Sequence, residues 1–256
     1  PDTARERLGD AGAFVDFDYA RPETWGPALD GIDRLFLVLP PGGDESAVKQ
    51  FVDAAARVGV ERVVYLSTLG ADRNILIPHH RIEGHIADSG LAYTFLRASF
   101  FMQNLHEVHG QDIVERDEIF VPAGEGETSF VDARDVGAVG ATVLTESGHE
   151  QTAYDLTGPD ALTYDEVAAV FTRVLDREVT YADPSILAFL RRMRSRHSPG
   201  YVLLMVGIYT TARLGLAGRV TDDVEHLLGR PPRDIGEYVT DYREEFAPRT
   251  ATQVTA

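Results

Sequence analysis

Three short apolar runs, separated by helical patterns, constrain the fold of this chain more than any other feature. They are residues 34–39 (RLFLVL), 62–66 (RVVYL) and 92–96 (AYTFL). Strands that are apolar on both faces are typical of a parallel sheet covered by helices on both sides. A run of alternating apolar and polar residues at 13–18 (AFVDFD) predicts one more strand. We therefore expect four parallel strands in one sheet.

Helical periodicity fills the segments between these runs. One buried helix face is predicted at Val48, Phe51, Val52 and Ala55. Gly59 follows this helix and supplies a left-handed stop. Ile82 and Ile86 repeat the pattern before the next apolar run. This alternation of strand and helix predicts an α/β fold with right-handed crossovers.

The pattern becomes mainly helical in the last third of the chain. Thr163 and Glu166 form a capping box that predicts a helix through Leu175. The elements predicted beyond it are a strand at 178–182, helices at 185–196 and 201–216, and a last short helix that residues 221–223 cap and Gly229 ends. We therefore expect an α/β part at residues 1–158 and a smaller helical region at 159–256.

The net charge excludes one class of partner. Asp and Glu number 41 against 24 Lys and Arg, which leaves a net charge of −17. A field of this sign repels a phosphate backbone. We therefore expect no nucleic-acid partner.

The composition also bears on location and on metals. Without Cys the chain has neither a disulfide nor a thiolate metal site, which fits a reducing cytoplasm. The longest uncharged stretch, residues 198–212, is shorter than the roughly 20 residues of a bilayer span and predicts a buried helix. The 8 His are scattered along the chain without metal-ligand spacing. We expect a cytoplasmic protein with no membrane segment and no metal.

Seven stretches carry a family resemblance through their order and spacing. They are DFDYARPETWGPAL (16–29), DRLFLVLPPG (33–42), ERVVYLSTLGAD (61–72), HRIEGHIADSGLAYTFLRASFFMQNL (80–105), FVDARDVGAVGATVL (130–144), YDLTGPDALTYDEVA (154–168) and GRVTDDVEHLLGRPP (218–232). Together they resemble the NmrA-like branch of the atypical short-chain dehydrogenase/reductase superfamily. The resemblance implies a Rossmann-like parallel sheet with helices on both faces. It also implies an NAD(P)-binding domain at 1–158, N-terminally incomplete, and substrate-side helices at 159–256.

One family motif does not occur in the sequence. The family begins with a strand, a GxxGxxG turn, a helix and a second strand, and this turn binds the cofactor diphosphate. Neither GxxGxxG nor GxGxxG is found among the 256 residues. The resemblance implies that about one βαβ unit, roughly 25–30 residues, is missing. We expect either a truncated start or a remnant that has lost its cofactor.

Residue by residue, the resemblance implies a cofactor site along the strand ends. Asp18 and Tyr19 would lie at the adenine edge, and the alternative is an ordinary turn that Asp18 begins. Leu39, Pro40 and Pro41 would pass under the cofactor ribose, and the alternative is a rigid strand exit.

Further along the chain, the resemblance implies the residues that surround the nicotinamide and the substrate. Ser67 and Thr68 occupy the strand end that carries the catalytic serine, although both hydroxyls could instead cap the following turn. The residues implied at the nicotinamide are Ser99 and Phe100, and those implied in the substrate pocket are Phe101 and Asn104. Aromatic side chains at this place are also typical of core packing.

The catalytic motif of the superfamily is altered in this chain. Counting back from Glu83 on the family spacing places the Lys of Tyr-x-x-x-Lys at His79 and the Tyr at Ile75. Ile cannot transfer a proton, which disfavours alcohol–ketone interconversion by the usual mechanism. His79, also implied as a cofactor contact, and His80 are candidate catalytic residues because imidazole titrates near neutral pH. The alternative is two histidines at a helix start without a catalytic role.

Two charged clusters are expected to be structural. Asp132, Arg134 and Asp135 (VDARDV) are expected to cap a helix and to form salt bridges. The basic run at 191–197 (RRMRSRH) is expected to be a solvated helix end.

Two classes of function fit these features. One is an NAD(P)H-dependent reductase that transfers a hydride to a small electron-poor acceptor of the quinone, azo or nitro type, a reaction that needs little proton relay. The resemblance favours NADP over NAD. The other is a non-catalytic redox sensor that binds the dinucleotide and signals to a protein partner, and an inert truncated product is a third alternative. A homodimer is compatible with the first two.

Overall fold

Strands and helices alternate along residues 12–247, the part of the chain that this computed structural model describes. The α-helices are α1 (Trp25–Leu29), α2 (Glu45–Val58), α3 (Pro78–Asp88), α4 (Asn104–Glu107), α5 (Gly110–Arg116), α6 (Ala133–Thr145), α7 (Tyr164–Leu175), α8 (Ile186–Met193), α9 (Pro199–Arg213), α10 (Asp223–Leu228) and α11 (Ile235–Asp241). The strands are β1 (Arg34–Val38), β2 (Arg62–Thr68), β3 (Ala92–Ala98), β4 (Phe100–Phe101), β5 (Glu118–Ile119), β6 (Thr128–Val131), β7 (Thr152–Leu156), β8 (Ala161–Leu162) and β9 (Thr180–Tyr181). Two compact units are formed, residues 12–96 with 143–154 and residues 97–142 with 155–247. The domain division after residue 158 stays a prediction.

The first unit contains a sheet with the strand order β1-β2-β3-β7. β1 and β2 run parallel, with Arg34 opposite Arg62 and Val38 opposite Leu66. Helix α2 connects β1 to β2 and α3 connects β2 to β3, as the crossovers of a parallel sheet require. The predicted strands at 34–39, 62–66 and 92–96 and the Rossmann-like sheet are confirmed.

The strand predicted at residues 13–18 is wrong. No strand is assigned there, and the chain turns at Asp18, whose carboxylate accepts a hydrogen bond from the backbone N–H of Ala20 at 2.8 Å. Phe17 packs on a helix instead, with its ring 4.8 Å from that of Phe51 in α2, whereas Val15 is exposed. A strand requires a neighbouring backbone to complete its ladder, and within residues 12–247 no strand pairs with this segment.

Helices α2 and α3 of the first unit begin at local sequence signals, and α2 ends at the predicted glycine. Asp44 caps α2 by accepting the Ser46 N–H at 2.8 Å. Gly59 ends the helix in the left-handed conformation, with φ 91°. In α3, Pro78 occupies the first turn, where it has no backbone hydrogen bond to lose. The core of this unit contains Trp25, Leu37, Phe51, Tyr65, Ile82 and Phe95.

The last third of the chain is mainly helical, as expected, and belongs to the second unit. The capping box of Thr163 and Glu166 opens α7, and Gly229 ends α10 with φ 65°. Short strands complete this unit, with β4 parallel to β6 and β6 antiparallel to β8. The prediction that the chain's last helix ends at Gly229 is wrong, because α11 follows. A capping box of Asp234 and Glu237 opens α11, which is the same local signal that predicted α7.

Helix α9 is confirmed as a helix, but it is not buried all round. Met205 and Tyr209 face the core of the second unit, while Leu203 is 67% exposed. The apolar periodicity of the sequence at 198–212 was too weak to separate the buried face from the exposed face. Within the described residues, each helix is too short or too polar to cross a bilayer.

The basic run at 191–197 is only partly solvated. Arg191 and Arg194 are exposed, but Arg196 donates to the fully buried carboxylate of Asp112 at 2.9 Å and Arg192 does so at 3.3 Å. The expectation of a solvated helix end is therefore wrong for these two residues, because a buried carboxylate requires paired donors.

The VDARDV cluster has the structural role that was expected. The carboxylate of Asp132 accepts the backbone N–H of Arg134 at 2.8 Å and pairs with its guanidinium. Burial would raise the pKa of Asp132, but hydrogen bonds from Arg134 and Gln103 lower it below the usual value. Asp135 is buried and pairs with Arg230 at 2.6 Å.

Candidate functional site

The carboxyl ends of β1 and β2 carry most of the predicted site residues of the first unit. Leu39, Pro40 and Pro41 leave β1 in a tight turn, in which the carbonyl of Pro40 accepts the N–H of Gly43 at 2.8 Å. A Cβ at Gly43 would lie 2.9 Å from that carbonyl oxygen, so the turn requires glycine. Pro40 and Pro41 are exposed and present a rigid apolar edge.

Ser67 and Thr68 end β2, and their side chains differ in burial. Ser67 is buried and donates to the carboxylate of Glu83 at 2.6 Å, so its hydroxyl bonds to α3 and not to the following turn. Thr68 is half-buried, and its carbonyl accepts the N–H of Ala71 at 3.0 Å. Glu83 is only 6% exposed, so the carboxylate and the serine hydroxyl satisfy one another in the core.

His79 lies in the first turn of α3 beside Tyr65 of β2. The distance between Tyr65 Oη and His79 Nδ1 is 2.8 Å. Burial raises the pKa of Tyr65, and the charge of Glu83 adds to this increase. Burial also lowers the pKa of the half-buried His79, while Glu83 opposes this change. At neutral pH the pair is therefore a phenol and a neutral imidazole.

His80 faces another partner. Its Nδ1 lies 2.7 Å from the carbonyl oxygen of Ala71, in the turn that follows β2. The two neighbouring histidines therefore have different partners, His79 a side chain of the strand and His80 the backbone of the loop.

Asp18 and Tyr19 lie together in the first unit, next to the end of β1. Tyr19 donates its hydroxyl to the carbonyl of Val38 at 2.8 Å, and burial raises its pKa to about 12. The Asp18 carboxylate pairs with Arg21 at 3.3 Å. It also begins a turn by accepting the backbone N–H of Ala20, which is the alternative role expected for Asp18. The adenine-edge role of both residues stays a prediction.

The remaining predicted residues belong to the second unit. The Ser99 hydroxyl lies 2.9 Å from that of Ser129, and its backbone N–H donates to Leu156 O at 2.9 Å. Phe100 packs edge-on against Phe130 at 5.7 Å, which is the core packing considered above. Phe101 is half-buried in β4, and Asn104 is the first residue of α4. Their cofactor and substrate roles stay predictions.

Two residues of this site were missed by the sequence analysis. Tyr65 was interpreted only as part of an apolar strand, and Glu83 only as a spacing marker. A signal existed, because residues two apart on a strand and four apart on a helix share a face. Tyr65 and Ser67 therefore face one side of β2, and His79 and Glu83 one face of α3.

Ile75 lies where the superfamily spacing predicts tyrosine, and its side chain is 66% exposed. It has no group that transfers a proton. Within residues 12–247, His, Asp and Glu form no cluster that could hold a metal ion.

A parallel sheet with crossover helices, with Thr68 at a strand end and His79 at the start of the next helix, is a Rossmann-like arrangement. The model of the NmrA-like family matches residues 4–209. The chain belongs to the NmrA-like family.

Named relatives extend this comparison. The NAD(P)H azoreductase of Xenophilus azovorans is 34% identical over 235 residues, which cover 90% of this chain and 82% of that protein. The structure of the Citrobacter sp. triphenylmethane reductase with NADP(H) is 25% identical, with a TM-score of 0.80, and the match covers 94% of this chain and 87% of that one. An Escherichia coli NADPH-dependent quinone oxidoreductase with NADPH is also 25% identical, with a TM-score of 0.81, covering 95% and 88%.

Proposed function

We propose that the protein is an NAD(P)H-dependent reductase that transfers a hydride directly to a small electron-poor acceptor of the quinone, azo or nitro type. The observation that carries this proposal is the similarity to an NAD(P)H azoreductase, which extends over 90% of the chain. NADPH is the proposed donor, because the two solved neighbours hold NADP(H) and NADPH. A cytoplasmic location and a homodimer stay predictions of the sequence.

The residues at the strand ends and at the start of α3 fit the sugar and nicotinamide half of a dinucleotide. The Leu39–Pro41 edge offers an apolar, rigid surface for a ribose, and Thr68 and His79 offer polar groups for hydroxyl oxygens. When bound, the nicotinamide supplies the hydride. The 256 residues contain no GxxGxxG turn, so we assign no residue to the diphosphate.

The position of Ile75 supports the choice of acceptor. A carbonyl that becomes an alcohol needs a proton donor at its oxygen, and Ile75 offers none. A quinone or azo acceptor spreads the incoming charge over its conjugated system, and its reduced form can take a proton from water. The chain then has to bind and orient the cofactor and the acceptor and to exclude competing reactions. His79 contributes a hydrogen bond and not a proton.

A turnover assay tests this proposal. NADH and NADPH oxidation is measured with azo, quinone and nitro acceptors, using the protein expressed from its full reading frame. Turnover with at least one acceptor class is expected. Tight NADPH binding without turnover of any acceptor would overturn the proposal and favour the redox sensor.

The variant His79→Gln separates two roles of His79. The loss of one neutral hydrogen bond should lower kcat/KM about two- to tenfold, whereas loss of a general acid should lower kcat by about 10²- to 10⁴-fold. His85→Gln is the matched control, because His85 lies in the same helix but bonds to Asp53 at 2.7 Å. We expect the smaller effect for His79→Gln and no effect for the control.

A further inference from the structure

We propose that Tyr65 is a positioning residue that holds His79 in the tautomer with its hydrogen on Nε2, so that His79 presents a hydrogen-bond donor to a bound molecule. The identity of the molecule that accepts this hydrogen bond rests on the proposed function. The tautomer itself rests only on the contacts between β2 and α3.

Tyr65 is held in place by the core. Its side chain is 0% exposed, and its ring packs edge-on against Phe95 at 6.5 Å. The hydroxyl reaches His79 Nδ1 at 2.8 Å. Within residues 12–247, Tyr65 Oη has no second hydrogen-bond partner.

This geometry decides which atom donates. If His79 carried its hydrogen on Nδ1, the phenol would accept that hydrogen bond, and its own O–H would be left buried without an acceptor. An unsatisfied buried donor is costly, so the phenol donates and Nδ1 accepts. The neutral imidazole then carries its hydrogen on Nε2. The groups that face this ring are the Tyr65 phenol from the strand and the Glu83 carboxylate from its own helix.

His80 has the opposite tautomer and provides an internal comparison. A carbonyl oxygen can only accept, so the 2.7 Å contact with Ala71 O requires the hydrogen on His80 Nδ1. When neutral, His80 therefore offers a lone pair at Nε2 where His79 offers N–H. Two adjacent histidines therefore have different tautomers because their hydrogen-bond partners differ.

A donor at His79 Nε2 selects for a hydrogen-bond acceptor. It fits a hydroxyl or carbonyl oxygen of a bound nucleotide or acceptor, and it does not require a charged imidazole. Tyr65 acts through His79 and does not itself need to touch the ligand.

Nitrogen NMR of the protein labelled with [¹⁵N]histidine tests the assignment. Long-range proton–nitrogen spectra at pH 7.5 distinguish the two tautomers, and His79→Gln and His80→Gln assign the signals. We expect the hydrogen on Nε2 in His79 and on Nδ1 in His80. A hydrogen on Nδ1 of His79 in the unaltered protein would overturn the proposal, even if no Tyr65 variant folded.

The variant Tyr65→Phe removes only the hydroxyl. We expect it to shift the His79 Nδ1 signal and mix the two tautomers, while the His80 signals stay unchanged. Tyr93→Phe is the matched control, because it removes a hydroxyl from a neighbouring strand of the same core. Unchanged His79 signals in Tyr65→Phe would refute the proposal.

A double-mutant cycle gives the corresponding activity test. Tyr65→Phe should lower kcat/KM about two- to tenfold alone and cause no further loss in the His79→Gln background. Equal losses in both backgrounds would assign Tyr65 a purely structural role. Absence of turnover in the unaltered protein would instead refute the reductase and leave the NMR result standing.

Discussion

Mild acid should destabilise the protein through His109. This side chain is 1% exposed, and its Nε2 is hydrogen-bonded to the hydroxyl of Tyr209. Burial lowers its pKa to about 4; Asp112 opposes this shift, whereas His197 and Arg196 reinforce it. The folded protein therefore keeps His109 neutral at a pH where the unfolded chain protonates it.

The sign and size of the effect follow from this difference in pKa. The unfolded pKa is about 6.5, so below that pH the unfolded state binds more protons and the free energy of unfolding falls as the pH falls. With a folded pKa of about 4, the loss between pH 7.5 and 5.5 amounts to about 1.3 kcal/mol. The contribution is fully present above about pH 7 and is lost progressively toward pH 4.

Urea unfolding at the two pH values measures this loss, and pH 5.5 stays above the pI of about 4.8. Far-UV circular dichroism follows the unfolding of the whole chain. The fluorescence of Trp25, the single Trp of the chain, follows the unfolding of the first unit. His109→Gln removes the titrating group, and His226→Gln controls for the loss of an exposed histidine. We expect the pH difference to shrink by about 1.3 kcal/mol in His109→Gln alone. An equal pH difference in all three proteins would refute the reasoning.

Three further predictions concern the cofactor and the backbone. Because the 256 residues contain no GxxGxxG turn, calorimetry should find very weak NADPH binding to this chain and stronger binding once a strand–GxxGxxG–helix segment precedes it; micromolar affinity without the segment would contradict this. Thr163→Ala removes the capping box of α7 and should lower the free energy of unfolding by about 0.5–2 kcal/mol in urea titrations. Gly158→Ala would place a Cβ 2.2 Å from the carbonyl oxygen of Phe130, so about 1–3 kcal/mol should be lost, and an unchanged melting temperature would contradict this packing.

Local sequence patterns were sufficient for most of the secondary structure. The apolar run at 34–39 became β1, the helix face around Phe51 became α2, and the capping box at Thr163 opened α7. These signals act over a few residues, because side-chain periodicity and backbone capping are local properties. The order of the elements then restricted the topology to a parallel sheet with crossovers.

The same local patterns misled where a distant partner decided the outcome. Of the alternating residues at 13–18, Phe17 packs its ring on α2, and no described strand completes a ladder with that segment. The basic run at 191–197 turned inward because Asp112, about 80 positions earlier in the chain, is buried beside it. A sequence pattern does not reveal which side chain lies opposite.

In the candidate site, too, the sequence determined the local elements and the tertiary structure determined the partners of each side chain. The sequence by itself placed His79 and His80 at the start of a helix and Ser67 at a strand end, and it identified Ile75 as unable to transfer a proton. Only the tertiary structure placed the Tyr65 hydroxyl 2.8 Å from His79 and the Glu83 carboxylate 2.6 Å from Ser67. The physical reason is that tautomer and pKa depend on burial and on atoms within hydrogen-bond distance. Those atoms come from residues 14 and 16 positions apart, and only the packing of α3 on β2 brings them together.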